Sequence, residues 1–362
     1  MRAATLKEQR ERGRRSVAVL PILYPKELLT AFEVHAVELW GPPGAPVGPE
    51  AARIQTYVCP LVRNALAFLA SQRADVDAVL FPHTCDSIQG LATLAPDFGG
   101  CPKKVFRFTH PKGASRPSAR RFVEEELRSL AKELAEWTGR PLDARKIREA
   151  VQLHRAVDEA RATLLARRAC SPLSDRELYD LLRRGEYLWP EDHLAELRAA
   201  VSGLARQPVQ RGIPLMISGY VPEPMSLFDA LEDAGAYVAA DDYAAVGRRV
   251  LTSPIDLASD PFLALADAYF AYPPCPTRGA DQAARMRWLL SVFERSGAKG
   301  LLVHELKFCE PELFDVPALR KAFGARSIPV LYVEGELEAE LSGQTSTRLE
   351  AFVELLSGRA RA

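Results

Sequence analysis

No stretch of this chain approaches the ~20 consecutive apolar residues that a membrane-spanning helix needs, so no membrane partner is expected. No sign of charge prevails either: Lys and Arg number 47 together, as do Asp and Glu. A neutral balance offers no basic field to a phosphate backbone, which disfavours nucleic acid as a partner. Cysteine is scarce, with six in 362 residues and all of them scattered. That excludes a disulfide framework. Without a CxxC pair, a zinc ribbon and a thioredoxin-type motif are excluded too. There is no GxGxxG after a strand and no GxxxxGK(S/T), hence no visible dinucleotide fingerprint or P-loop. His304-Glu305 begins like a zinc-protease HExxH, but Phe308 stands where the second histidine should be.

What is present is enough apolar material, 48% of residues, to bury large cores, and a length that implies about two domains. Arg14-Arg15 before the apolar run 17–24 looks superficially like a twin-arginine export signal. The run is short, contains Pro21 and lacks a small-residue cleavage pattern, so it is expected to be a first buried strand. Residues 1–15 are then a basic, frayed tail. A reducing, cytoplasmic setting is expected.

Short apolar runs alternate with longer amphipathic segments, the pattern of an α/β fold with parallel sheets. Strands are predicted at 16–23, 78–82, 104–108, 215–219, 236–240, 300–305 and 330–333. Helices are predicted at 60–71 and 118–137, with Gly139 as a stop, and from an Asp143 cap to about 169. Another starts at Ser174, with Glu177 completing a capping box, and the last spans 190–206. The Arg/Glu-rich helical block, about 116–206, is expected to attach to a first α/β domain, 16–206. A second α/β domain, 207–362, starts after the Pro-containing linker 207–214. Within it, Tyr272-Pro273-Pro274-Cys275-Pro276 must be a rigid loop.

Chemistry is concentrated at three cysteines. Cys85 follows the run 77–81 within His83-Thr84-Cys85-Asp86-Ser87, and Cys309 follows 300–305 within Leu306-Lys307-Phe308-Cys309. Ligands of open α/β sheets collect at the carboxyl ends of strands. One such placement in each domain points to a site in the cleft between them. Cys59 precedes Pro60 and a helix, whose amides and dipole favour a thiolate. Converging thiolates hold an iron–sulfur cluster or a metal. A Cys85–His83 nucleophile pair is the competing chemistry, but side chains two apart on an extended segment point to opposite faces.

Taken together and in order, these pieces resemble the 2-hydroxyacyl-CoA dehydratase family. That family includes the D-component-type subunit of 2-hydroxyglutaryl-CoA dehydratase and related benzoyl-CoA reductase subunits. The resemblance runs from about Pro25 to Leu356 and rests on Tyr57-Val58-Cys59-Pro60 to Leu66 and on the Cys85 and Cys309 pieces. It is supported by Ala31-Phe32-Glu33 through Glu38-Leu39-Trp40-Gly41, by Ile217-Ser218-Gly219 and by Gln344 through Phe352.

The resemblance implies two Rossmann-like or flavodoxin-like domains with a [4Fe–4S] cluster in the cleft, held by Cys59, Cys85 and Cys309 and leaving one iron open. It implies an acyl-CoA substrate, a homologous second subunit or a homodimer, and a separate ATP-dependent iron–sulfur activator. One electron from that activator would make a ketyl radical anion of the thioester, which expels the 2-hydroxyl group. A benzoyl-CoA-reductase-like enzyme, an [8Fe-9S] double-cubane reductase and a non-catalytic electron relay remain alternatives. His83, Asp86, Ser87 and Lys307 are candidates to tune the cluster or touch substrate, against ordinary turn and cap work. Cys275 is a candidate extra ligand. Glu33 and Glu38 are weighed as a base near the site against a solvated helix face, which is the expectation, and Cys101 and Cys170 are expected to be inert thiols.

Overall fold

The computed structural model describes residues 2–40, 48, 53–70, 75–97, 101–102, 104–113, 115–210 and 212–361. Gly41, Ser71 and Arg211 of the segments named above lie outside them. Eight strands form two parallel sheets of four among the described residues. The first contains β1 (Arg15–Val19), β2 (Val34–Glu38), β3 (Ala78–His83) and β4 (Lys104–Thr109), in the order β2-β1-β3-β4. The second contains β5 (Ile213–Gly219), β6 (Ala236–Tyr243), β7 (Gly300–Leu306) and β8 (Val330–Gly335), in the order β6-β5-β7-β8. The two orders are the same permutation, and each reverses direction at its central pair. That is the switch point where doubly wound sheets bind ligands.

The inner strands β1, β3, β5 and β7 are largely buried on both faces because helices cover both. Every residue of β7 is buried, His304 and Glu305 included. Leu20, Phe81, Leu215, Ile217 and Leu302 belong to one core that unites the two sheets. Each such side chain contributes about 1.5–3 kcal/mol on burial.

Local signals place the covering helices. Asp143 accepts the Arg145 N–H at 2.8 Å and starts Ala144–Ala166. Ser174 and Glu177 form the expected capping box of Asp175–Arg183. Gly139, at φ 72°, ends Pro117–Thr138 in the left-handed conformation that glycine adopts without strain.

Three expectations need correction. Residues 1–15 are not a frayed tail: Arg2–Glu11 is a helix, with Arg2 bonded to Glu186 at 2.7 Å and Arg10 to Asp75 at 2.8 Å. Arg14 stacks 3.7 Å from the Trp189 ring centroid. Charge and cation–π contacts seat this segment, so no apolar stripe advertised it. Second, β2 was missed. Glu38 ends this edge strand, is buried and pairs with Arg249. Burial opposes its ionisation, but the Arg249 guanidinium outweighs it and holds the carboxyl below its usual range. Glu33 is off any helix, at φ 52°, and pairs with Arg140 at 2.8 Å. Third, the chain after residue 207 does not stay with its own sheet. Pro261–Ala271 returns to Pro117–Thr138, and Phe262, Leu265 and Tyr269 join the core beneath Phe106 and Phe108 of the first sheet. Among the described residues no helix is long and apolar enough to cross a membrane.

Candidate metal centre

Segments that follow β3, β4, β5 and β7 line one cavity of about 260 Å³ between the two halves. Cys59, Cys85 and Cys309 all stand on its wall. Each also occupies the residue just before a helix. Cys59 precedes Pro60–Ala70, and its carbonyl accepts from Val62 and Arg63 at 3.1 and 3.3 Å. Pro60 costs nothing there, since the first helical N–H has no partner to lose. Cys85 is extended (φ −148°, ψ 166°) ahead of Asp86–Leu94. Cys309 heads the single turn Glu310–Leu313, its carbonyl accepting from Glu312 and Leu313, both at 3.0 Å. The preceding Phe308 has φ 60°, an uncommon and strained conformation for a bulky residue.

Burial dominates the thiols. It pushes Cys59 up to about 12, with Cys85 adding to the effect and the amides of Val62 and Leu61 opposing it. Burial also raises Cys85, against the N–H groups of Ile88 and Ser87 and the Lys112 ammonium. Cys309 lies well above the usual thiol value through burial and then Glu312. Bare, the three sulfurs keep their protons. A thiolate-binding cation must displace them, so binding there would release protons.

Three wall residues were not singled out from sequence. Thr84 is fully buried, and its hydroxyl has no hydrogen-bond partner. Lys112 donates to the carbonyls of Thr84 and of Thr277, the latter at 2.9 Å, tying a loop of each half together. Tyr220, directly after β5, is buried, and its hydroxyl is raised well above its usual value by burial and then by Cys85, Cys309, Cys59 and Cys275. The signal that would have found Lys112 and Tyr220 is their position just past the carboxyl ends of β4 and β5.

Of the residues proposed beside the cysteines, Asp86 and Ser87 line the cavity. His83 and Lys307 are not part of its wall, and Lys307 pairs with Glu336 at 3.4 Å. Cys101 and Cys170 are also elsewhere. Cys275 is held just behind the wall: its sulfur lies 2.9 Å from the Thr277 hydroxyl and 3.5 Å from an Arg248 nitrogen. Arg248 belongs to a fully buried network. It pairs with Glu312 and Asp242 and donates to the Gly219 carbonyl at 2.9 Å. Asp242 also takes Arg285 and the Ser218 hydroxyl, the latter at 2.8 Å. Beside them, burial pushes the Glu305 carboxyl well up, and its Oε2 has no partner. Around the cavity mouth and the adjoining groove, Phe308, Phe314 and Tyr57 are exposed.

Comparison with known proteins finds relatives that align along nearly the whole chain. The lactoyl-CoA dehydratase subunit beta of Anaerotignum propionicum is 23% identical over 354 residues, covering 96% of this chain and 93% of that one. The (R)-2-hydroxyglutaryl-CoA dehydratase subunit beta of Acidaminococcus fermentans is 23% identical over 364 residues, covering 97% and 95%. The (R)-phenyllactyl-CoA dehydratase beta subunit of Clostridium sporogenes is 20% identical, covering 97% and 94%. Among solved structures, the periplasmic zinc-binding protein TroA of Treponema pallidum aligns over 95% of both chains at 13% identity, with a TM-score of 0.23, which carries no argument. The family model of the 2-hydroxyglutaryl-CoA dehydratase D-component matches residues 21–356, and the chain belongs to that family.

Proposed function

We propose that this chain is the cluster-bearing subunit of a 2-hydroxyacyl-CoA dehydratase, with Cys59, Cys85 and Cys309 as ligands of a [4Fe–4S] cluster. One observation carries the proposal: three thiols from separate segments and both sheets, each heading a helix, open onto one cavity. Among the described residues no three His, Cys, Asp or Glu side chains converge as the ligands of a single ion would. Sulfurs spread around a cavity suit a cluster whose irons occupy separate corners. The unpartnered Thr84 hydroxyl fits the same occupant, as a donor toward a sulfur.

When bound, the cluster supplies one electron to the substrate thioester and one iron open to a non-cysteine ligand. The chain's own residues set the conditions. Helix-start amides at Leu61, Val62, Ser87 and Ile88 favour the negative sulfurs. Lys112, fixed between two carbonyls, puts a positive charge beside Cys85 and Asp86. Tyr220 keeps its proton and so presents a donor to the cavity. Overall, water leaves as the hydroxyl of the carbon beside the carbonyl and a proton from the next carbon. Asp86 and Ser87, which share the wall, are the groups proposed beside the cysteines that could touch the substrate there. The exposed aromatics at the mouth favour a covering partner, a homologous subunit or second copy, besides the ATP-dependent activator. Cys275 is engaged by Thr277 and Arg248, which favours an open iron over a fourth cysteine ligand and hence catalysis over electron relay.

The test is iron and acid-labile sulfide per chain after anaerobic purification, for wild type and the Ser variants of Cys59, Cys85 and Cys309. About four of each, lost in all three variants, supports the proposal. About eight irons would point to the double-cubane reductase. Iron indifferent to these cysteines would overturn the assignment. Dehydration of 2-hydroxyacyl-CoA with an activator and ATP then tests the reaction.

A further inference from the structure

A second cavity, about 40 Å³, is enclosed by β2, the Lys26–Ala31 helix, the Ala144–Ala166 helix and the turn before Pro190–Ser202. It holds several times the ~10–15 Å³ that one water needs. Three cations and three histidines face it: Lys26, Arg161, Arg249, His35, His154 and His193. Lys26 is matched by Asp158 at 3.3 Å, and Arg249 by Glu38. Arg161 is the cation left over. It is 9% exposed, donates to the Leu182 carbonyl at 3.0 Å and has an unpartnered Nε; Asp158 and Glu38 favour its charge, but each is in direct contact with another cation, Lys26 or Arg249. An arginine cannot shed its proton to escape burial, so one whose carboxylates are shared with other cations leaves room for an anion.

The histidines say which kind. His35 and His193 approach main-chain carbonyls with Nε2, Tyr187 at 2.7 Å and Leu181 at 3.1 Å. A carbonyl only accepts, so each proton is on Nε2, and each Nδ1 is a lone pair when the ring is neutral. His35 Nδ1 is buried without a partner. His193 Nδ1 and Arg161 Nη2 converge on Gly185, where a Cβ would lie 2.6 and 2.4 Å from them. A side chain at 185 would displace both. Burial and then Arg161 lower His193 to about 3, and burial, Lys26 and Arg161 depress His154, so the imidazoles lining the cavity are neutral.

We propose that this cavity binds a protonated oxyanion, hydrogen phosphate or a phosphate monoester, whose oxygens accept from Arg161 and whose hydroxyl donates to a histidine Nδ1. Sulfate and chloride carry no such donor. The phosphate has two sources, free phosphate or the 3′-phosphate of coenzyme A; only the second rests on the function proposed above.

Calorimetric titration of the full chain with sodium phosphate, against sodium sulfate and sodium chloride at equal ionic strength, tests it. Phosphate is expected to bind with saturation and to raise the melting temperature beyond either control. Arg161→Met is expected to weaken binding roughly 10- to 100-fold, the worth of one charge-assisted hydrogen bond. Gly185→Ala, which keeps every charge, is expected to weaken it too. If Arg161→Met fails to fold, the wild-type titration and Gly185→Ala still decide. Competition by coenzyme A but not by 3′-dephospho-coenzyme A identifies the ester as the source, and competition by neither identifies free phosphate. Failure of phosphate to bind wild type, binding matched by sulfate, or binding unchanged in the variants would overturn the proposal. None of these readouts depends on iron, so they stand or fall apart from the cluster.

Discussion

In the first sheet Cys85 follows β3 and heads a nine-residue helix; in the second, Cys309 follows β7 and heads a turn of four. The positions are topologically equivalent, because both sheets have the same strand order. The electrostatics differ. Cys85 has helix amides and Lys112 in its favour, whereas the charge that acts most strongly on Cys309 is Glu312, which opposes a thiolate. In the first half, helix amides and an ammonium offset part of the burial penalty on the thiols, which still keep their protons when bare. The second is arranged to be rigid, with the Arg248–Asp242–Glu312–Arg285 network locked behind the sulfur. One half thus supplies the charge environment and the other a fixed wall.

Acid should separate the halves most strongly. Burial lowers His35, His110, His154, His193 and His304, and only His304 belongs to the second sheet. The unfolded chain takes up these protons near pH 6.5, while folded His304 waits until about 4 and His193 until about 3. The histidine contribution to stability is therefore complete above about pH 6.5 and falls below it, by up to about 1.4 kcal/mol per pH unit for each histidine in its window. Urea titrations from pH 7.5 to 4.5 should show this decline. Hydrogen exchange should show the first sheet and helical block opening before the second sheet. Uniform loss of protection would contradict the asymmetry.

Next is Arg248→Met, which strands Glu312 and Asp242 and should cost about 3–5 kcal/mol in urea unfolding. Lys112→Met, its counterpart near the first-half cysteines, loses only hydrogen bonds to carbonyls and should cost about 1.5–3 kcal/mol. Equal costs would remove the distinction between wall and charge environment. In the metal-free chain, Cys85 is less buried than Cys59 and has a nearby ammonium, so alkylation should reach Cys85 first, by about tenfold or more. The smallest effect is local: Asp143→Ala should cost about 1 kcal/mol by removing a helix cap, without changing thiol reactivity.

Much of this was legible in the sequence. Apolar runs, most of them continuous, marked seven of the eight strands, since strands covered on both faces leave little alternation to misread. Asp143, Ser174–Glu177 and Gly139 marked helix ends because caps are local chemistry. Cys85 and Cys309 stood out by their places past strand ends, and Cys59 by the helix that it precedes. What was hidden depends on long-range contact. Edge strand β2 is short and ends in Glu38, whose partner Arg249 lies 211 residues away. The Arg2–Glu11 helix is seated by Glu186 and Asp75 rather than by an apolar face. Tyr220, Thr84 and Lys112 become site residues only when the two sheets meet. The return of Pro261–Ala271 to the first sheet left no mark in the linker that suggested a boundary.

The most direct test of the central claim is differential alkylation, read by mass spectrometry, of anaerobically purified protein before and after oxidative removal of iron. The account expects Cys59, Cys85 and Cys309 to be protected together and released together, with Cys275 unchanged. Release of Cys275 along with them would close the open iron site and favour an electron relay. Independent labelling of the three, or labelling indifferent to iron, would contradict the shared centre.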